Sequence, residues 1–413
     1  SSKPGAVVQC WLVAAVAGFS PAALADSSGA SWENTPEAAK PTQLRELQAL
    51  GYVDWVDDTT AARGTARVSP TRSSPGYNLY NSRHQAVAEL LDIYGNVVHT
   101  WSAAERTPGW HHIEPLPDGR LLTIRKNKRL SMYAPDSSIL WSTPLAAHHD
   151  LSVLPDGKIA VLTRRVRSVE HNQAKVWILD DQITLLSEAG KPTQRHALFP
   201  ILGGLVSDKR WDAIRSQAQK RHPTTPNAIS GTAADLLHTN SIQYLNRDLP
   251  GVCKRGDFLV SVRELNTIAV IDPDAGILRW HWGPGQLQRQ HHATMLANGN
   301  IMLFDNGTQR GSSRIVELDP RTRIIEWEYR GEPPEAFFSH SRGGVQALPN
   351  GNILVTESNK GHVFELDRLG EIVWEFWNPH RRKHAGRKQR GAIYRMQRLP
   401  PPFATQFLRQ AAP

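Results

Sequence analysis

His149-Asp-Leu-Ser-Val-Leu-Pro-Asp-Gly157 joins a histidine to a tight turn, and the same spacing recurs twice. His111 precedes Leu-Pro-Asp-Gly119 and His291 precedes Leu-Ala-Asn-Gly299, while a further copy ends in Leu-Pro-Asn-Gly351 and carries Gly343 at the histidine's place. Asp-Gly and Asn-Gly between apolar runs are hairpin signals, because these residues tolerate the backbone conformations that a tight turn demands. The runs follow at 121–124, 159–162, 301–304 and 353–355. Each unit then closes on an Asp-containing turn and a Trp, as in Asp92 to Trp101, Asp272 to Trp280, Asp319 to Trp327 and Asp367 to Trp374. Weaker forms end at Trp141 and near Ile183. A unit of roughly 40 to 50 residues with four short strands is a propeller blade. The repeats predict an all-β chain folded as a six-bladed β-propeller, since solenoid rungs are shorter and a sandwich rarely keeps one motif this well.

The propeller is expected over residues 77–398. Its first unit begins near Tyr77 without a partner strand, and the isolated strand 391–398 would supply one, closing the ring and leaving no open sheet edge. A chain of 413 residues fits a single ring of this kind. Residues 26–76 form a polar, turn-rich N-terminal extension with one helix expected over 42–50. Residues 192–237 break the blade rhythm as a partly helical insertion, with a helix expected over 208–220, and would sit over one end of the ring. Residues 399–413 form a C-terminal tail.

Lys3, the apolar stretch 6–19 and Pro21-Ala-Ala-Leu-Ala25 have the layout of a secretory signal over residues 1–25. A membrane anchor is the alternative, because the apolar stretch is almost long enough to span a bilayer. The small-residue ending and the polar sequence after it favour cleavage, so the mature protein is expected to be exported without a stable membrane span. Cys10 lies in the signal, which leaves Cys253 alone and no internal disulfide. The net charge is +9, but Arg381, Arg382, Lys383, Arg387, Lys388, Arg390, Arg395 and Arg398 crowd into one segment that contains no acid. A solvated basic loop accounts for this segment, and no nucleic-acid partner is expected.

A single histidine beside a turn is usually structural. The joint pattern suggests more: His149 and His291 occupy equivalent blade positions, His238 enters another blade in Leu237-His-Thr-Asn-Ser-Ile-Gln243, and Arg263 follows in Ser261-Val-Arg-Glu-Leu-Asn266. Innermost strands direct equivalent positions toward a central channel, so three imidazoles and a guanidinium would converge. Imidazoles alone would suit a metal. Arg263 argues for a tetrahedral oxyanion instead, whose oxygens accept charge-assisted hydrogen bonds. Within the pairs His148-His149 and His291-His292, the spacing to the turn glycine selects His149 and His291.

Leu237-His-Thr-Asn-Ser-Ile with Ser261-Val-Arg, Gln290-His-His-Ala293 with Leu303-Phe-Asp-Asn-Gly307, Gly344-Val-Gln-Ala-Leu-Pro-Asn-Gly-Asn352 and Ala392-Ile-Tyr-Arg395 resemble the bacterial aryl sulfate sulfotransferases. The resemblance runs from about Tyr77 to Arg398. It implies a periplasmic six-bladed propeller that moves a sulfuryl group from an aryl sulfate donor to a phenolic acceptor without a nucleotide. By motif, His291 matches the nucleophile that becomes a transient sulfohistidine in a ping-pong cycle, and His149, His238 and Arg263 match residues that bind and polarise the sulfuryl oxygens. With an aryl substrate implied, Trp110, Tyr394 and residues of the insertion become candidates for stacking on its ring, with core packing as the alternative. No cofactor or metal is implied. Better-known members carry an N-terminal β-domain used in dimerisation, which is replaced here by the polar extension, so the oligomeric state is left open. Two other readings remain at this point: a non-catalytic propeller that binds sulfated or phenolic ligands, and a metal-dependent hydrolase or lyase.

Overall fold

The repeated turns form the hairpins that their residues demand. Gly119, Gly157, Gly299 and Gly351 adopt φ of 83°, 80°, 91° and 88°. In each turn the preceding Asp or Asn accepts the backbone N–H two residues on: Asp118 from Arg120 and Asp156 from Lys158 at 3.1 Å, Asn298 from Asn300 at 3.0 Å, and Asn350 from Asn352 at 3.1 Å. The side-chain oxygen thereby mimics a backbone turn contact.

The computed structural model describes residues 54–218 and 233–403. The signal segment 1–25 and the helix expected over 42–50 lie outside the described residues. Those described form an all-β, propeller-like arrangement with a few short helical segments. Six sheets each contain an antiparallel four-strand meander. The first consists of Ile393–Leu399, Tyr77–Ser82, Val87–Leu91 and Val97–Ser102, and the second of His112–Pro115, Leu121–Arg125, Arg129–Tyr133 and Ile139–Pro144. Ala147–Val153, Ile159–His171, Ala174–Leu186 and Pro192–Ala197 form the third, and Thr239–Tyr244, Phe258–Val262, Thr267–Asp272 and Ile277–Trp282 the fourth. The fifth is His291–Met295, Ile301–Asp305, Arg314–Asp319 and Ile324–Arg330, and the sixth Gly344–Ala347, Ile353–Glu357, His362–Leu366 and Ile372–Trp377. The late strand Ile393–Leu399 pairs with Tyr77–Ser82, as its isolation in the sequence suggested.

First strands of successive sheets touch in order from the second sheet to the sixth, and that of the sixth touches that of the first. Apolar cores fill the spaces between neighbours. Leu259 and Val270 meet Leu303 and Val316, and Met302 and Phe304 meet Val355 and Phe364. Tyr80 and Leu91 of the first sheet pack with Trp374 and Phe376 of the sixth. The closing tryptophans add directional bonds across these seams. Trp101 donates to Gly119 O at 3.2 Å, Trp141 to Glu188 O and Trp280 to Pro320 O at 3.0 Å, Trp327 to Arg368 O at 3.0 Å, and Trp374 to Ile93 O at 2.7 Å. Each acceptor lies in a turn of the adjacent sheet.

Two segments differ from the sequence reading. Within the N-terminal extension, Trp55–Asp57 pairs with Arg387–Gly391, and Gly64–Val68 adds an outer strand to the sixth sheet. The acids of this extension answer the basic segment: Asp58 binds Arg381 at 2.9 Å and Arg390 at 2.7 Å. Arg395 pairs with Asp150 and Arg398 with Glu365, each at 3.0 Å. The cations lack acids nearby in sequence because their partners arrive from distant strands, so the segment is a paired hairpin and strand where a solvated loop was expected. The insertion also begins later than the broken rhythm suggested, since Pro192–Ala197 completes the third sheet. Its helix, Asp208–Ala218, reaches the last described residue of that stretch. Trp211 of this helix stacks on His171 with ring centroids 4.2 Å apart and planes 9° apart. His171 ends one of two 13-residue strands of the third sheet, long enough to receive the helix. No helix among the described residues is long and apolar enough to cross a membrane.

Candidate functional site

The strand ends that the repeat brings together carry the candidate side chains. His111, His149, His238 and His291 stand at the starts of the first strands of the second, third, fourth and fifth sheets. The sixth cannot follow suit: a Cβ on Gly343 would lie 2.5 Å from the ring of Phe304. Second strands supply cations at the same end. Arg83, Arg164 and Arg263 share a register position, each donating its backbone N–H to a carbonyl leading into the first strand, Ala392 at 3.0 Å, Ala146 at 3.2 Å and His238 at 3.3 Å. Register shifts interrupt the first strands around His149 and just beyond His238 and His291. Such bulges re-aim side chains. His149 and His238 also hold left-handed φ of 55° and 48°, a strain of roughly 1–3 kcal/mol each that the surrounding sheets must hold in place.

His291 is 4 % exposed, and its hydrogen bonds define its tautomer. Its Nδ1 lies 2.6 Å from Asn306 Oδ1 and 3.1 Å from Arg289 O. Both are acceptors, because the Asn306 amide nitrogen donates to Ser339 O and Arg342 O, each at 2.6 Å. Nδ1 therefore carries the proton and Nε2 keeps its lone pair. Burial, followed by the charge of Arg263, holds the ring well below the usual histidine range, so it is neutral at pH 7. The neighbouring His292 is used structurally: its Nδ1 accepts the Val345 N–H at 3.0 Å.

The other sequence candidates adjoin one another. His149 contacts His238 with ring centroids 4.9 Å apart and His111 at 5.0 Å. His148 instead turns to Asp181, 3.3 Å from its Nε2, and shares a 2.8 Å Nδ1 contact with His149. His238 Nδ1 donates to Asp235 Oδ2 at 2.6 Å. Burial disfavours the charged forms of both partners, yet His238 and Arg164 hold the Asp235 carboxyl well below the usual carboxylate range. Arg263 donates to Glu264 Oε1 at 2.7 Å, and the other oxygen of that carboxylate receives Arg210 at 3.0 Å and Arg289 at 3.3 Å. The charge of Arg263 bears on both His291 and His238.

Several residues were not singled out in the sequence. Asn306 sits in the quoted Leu303-Phe-Asp-Asn-Gly307 motif, but only its bond to His291 reveals what it does. Asp235, at the end of the insertion, is delivered by a parallel pairing of Ala234–Asp235 with Ile178–Leu179. The charge of Lys126 bears on His111 and His149, that of Arg83 on His111 and that of Arg164 on His148 and His238, and Lys126 is pushed well below the usual lysine range by burial and then by Arg164 and Arg83. The spacing that marks Arg263, seven residues after the turn glycine Gly256, also holds for Arg83 after Gly76 and Arg164 after Gly157 and would have found both. Of the proposed stacking residues, Trp110 is fully buried and packs on Tyr133. Tyr394 lies against His111, with centroids 4.5 Å apart. Among the described residues, no three His, Cys, Asp or Glu side chains are grouped as metal ligands. What the cluster offers is neutral imidazoles within a field of cations, an environment that attracts an anion.

Known proteins agree with this picture at the level of fold and family. Among solved structures, a Bacteroides caccae protein of unknown function superposes with a TM-score of 0.51 at 15% identity, covering 78% of this chain and 98% of its own. A virginiamycin B lyase from Staphylococcus aureus crystallised with quinupristin gives 0.43 at 11% identity, over 76% of this chain and 88% of its own. The Pan2 WD40 domain of Neurospora crassa gives 0.39 at 9% identity, over 76% and 85%. No sequence among curated proteins matches the chain. A profile of the arylsulfotransferase (ASST) family matches residues 118–379, a span that holds His149, His238, Arg263 and His291 and more than half of the 413 residues. The chain belongs to the arylsulfotransferase family.

Proposed function

We propose that this protein is an aryl sulfate sulfotransferase that passes a sulfuryl group from an aryl sulfate ester to a phenol through a covalent His291 intermediate, on a closed six-bladed propeller exported to the periplasm behind the signal in residues 1–25. Membership of the family supports aryl sulfotransferase activity in general. The observation that carries the mechanism is the His291 tautomer: Nδ1–H is held by Asn306 at 2.6 Å, which leaves Nε2 as a neutral nucleophile within the field of Arg263.

In the first half-reaction the sulfuryl oxygens are bound by Arg263, His149 and His238. His291 Nε2 forms the N–S bond as the S–O(aryl) bond breaks. The departing phenolate has a conjugate acid of pKa near ~10 and takes a proton from His238. That ring is neutral at rest, but a bound anion raises its proton affinity and Asp235 steadies the resulting imidazolium. The His291 ring keeps its Nδ1 proton, so the sulfohistidine is an imidazolium with a good leaving group, and the neutral Asn306 avoids quenching that charge. In the second half-reaction the acceptor phenol attacks sulfur, His238 takes the phenolic proton, and His291 is released unchanged. Removing a charged oxyanion donor from such a site costs about 10²–10³-fold in rate.

The test is release of 4-nitrophenol from 4-nitrophenyl sulfate with and without phenol, in EDTA, for the native protein and His291→Ala. Acceptor-stimulated release with parallel double-reciprocal plots, absent from the variant, is the expected result. Folded native protein that binds the ester without turning it over, or that loses activity to the chelator, would overturn the proposal.

A further inference from the structure

The cluster continues past the sulfuryl-binding histidines, and its far end has its own chemistry. The guanidinium of Arg83 donates to His111 Nδ1. An arginine has no acceptor to offer, so Nδ1 is the bare nitrogen and the neutral ring carries its proton on Nε2. That Nε2 is buried and has no hydrogen-bond partner among the described residues. The hydroxyl of Tyr394, whose ring lies 4.5 Å from that of His111, is likewise buried without a partner among them. Burial pushes this phenol well above its usual range, so it remains protonated and a donor. Asp150, the carboxylate that bears on Tyr394, is tied to Arg395 at 3.0 Å. After burial, the charges that bear most on His111 are those of Arg83, Lys126 and Arg342, all cations.

Two adjoining donors that lack acceptors, beside Arg83, Arg342 and a buried lysine whose charge a bound anion would favour, describe a place for an oxygen-rich anion. Ring contacts of 4.9, 5.0 and 4.5 Å lead from His238 through His149 and His111 to Tyr394. That span is beyond a sulfuryl group alone and suits an arene bearing a side arm. We propose that His111 and Tyr394, with Arg83, Lys126 and Arg342, form a second anion-accepting subsite that selects aryl substrates carrying an additional anionic substituent. This rests on the transferase reading above. In a ping-pong cycle donor and acceptor arenes occupy one place in turn, so the preference applies to both.

The test compares transfer from 4-nitrophenyl sulfate to 4-hydroxyphenylacetate and to its neutral analogue 4-hydroxyphenylacetamide. The native protein is expected to favour the acid over the amide in kcat/KM by about tenfold or more, the worth of one charge-assisted hydrogen bond. Tyr394→Phe and Lys126→Gln are each expected to shrink this ratio severalfold, and the ratio cancels any loss common to both acceptors. Calorimetric binding of the same two compounds to His291→Ala protein reads the subsite without turnover, so a protein that transfers nothing still reports on it. Equal treatment of acid and amide by the native protein, or equal loss of both in the variants, overturns the subsite.

Discussion

A buried imidazole serves as a nucleophile only while it is neutral, and at His291 two causes act in that direction: burial first, then the charge of Arg263. An ordinary histidine protonates near pH ~6.5. The acid limb of kcat/KM for the aryl sulfate is therefore expected well below that value in the native enzyme. Replacing Arg263 by Gln removes a cation and releases Glu264 from it, and both changes favour a proton on His291. Arg263→Gln should move the acid limb upward toward pH ~6.5 and lower kcat/KM at neutral pH by about 10²-fold. A pH–rate profile checks both effects. An unmoved limb beside a lowered rate would mean that Arg263 binds the sulfuryl group without tuning the nucleophile.

At the scale of strands, the indole bonds explain why a Trp recurs at the end of five of the six sheets. Trp374 is the telling case, since its acceptor Ile93 is 281 residues away and its ring is covered on one side by Arg398 at 5.0 Å. Trp374→Phe should lower the unfolding free energy by about 2 kcal/mol, through a part-buried carbonyl left without its donor and lost packing volume around a fully buried ring. The partly exposed Trp141 makes a comparable bond at 3.0 Å, and Trp141→Phe should cost less than about 1 kcal/mol because water replaces the donor there. Urea midpoints measure both, and equal costs would show that the seam between the sixth and first sheets carries no special load. These elements were legible because Asp-Gly turns, β-branched runs and terminal tryptophans are local signals. The spacing to the turn also picked out His149 and His291 from their neighbours, and the structure gives His148 to Asp181 and His292 to Val345. Asp235 was not legible as a site residue, because no repeat carries it. Lys126 and Asn306 do follow second strands as Arg263 does, seven residues past the turn glycines Gly119 and Gly299, but what each does depends on contacts that this position does not record. His111 was visible in the repeat, yet its tautomer depends on Arg83, 28 residues earlier.

For the whole molecule, concentrating neutral histidines inside cationic strand ends has a consequence for stability. Burial holds His111, His149, His291 and His292 well below the usual range, and brings His84 and His148 to about 4. In the unfolded chain all of these titrate near pH ~6.5. Between pH ~6.5 and 4 the unfolded chain thus binds more protons than the folded one, and stability falls as pH is lowered through that window. His148 alone, with its folded value near 4, contributes on the order of 3 kcal/mol that is lost across it. His362 works the other way. Burial opposes its charge, but Glu357 at 2.9 Å and Glu375 at 3.0 Å raise it above the usual value, so its stabilisation is present in acid and lost as pH rises through its folded pKa. One such ring cannot offset six. Calorimetric scans should show Tm falling steeply from pH 7 to pH 4.5, and His148→Gln should flatten that fall even where it lowers Tm at neutral pH. A Tm that stays level across the window would mean that the cluster takes up protons in the folded state, and the neutral His291 on which the proposed chemistry depends would then be lost as well.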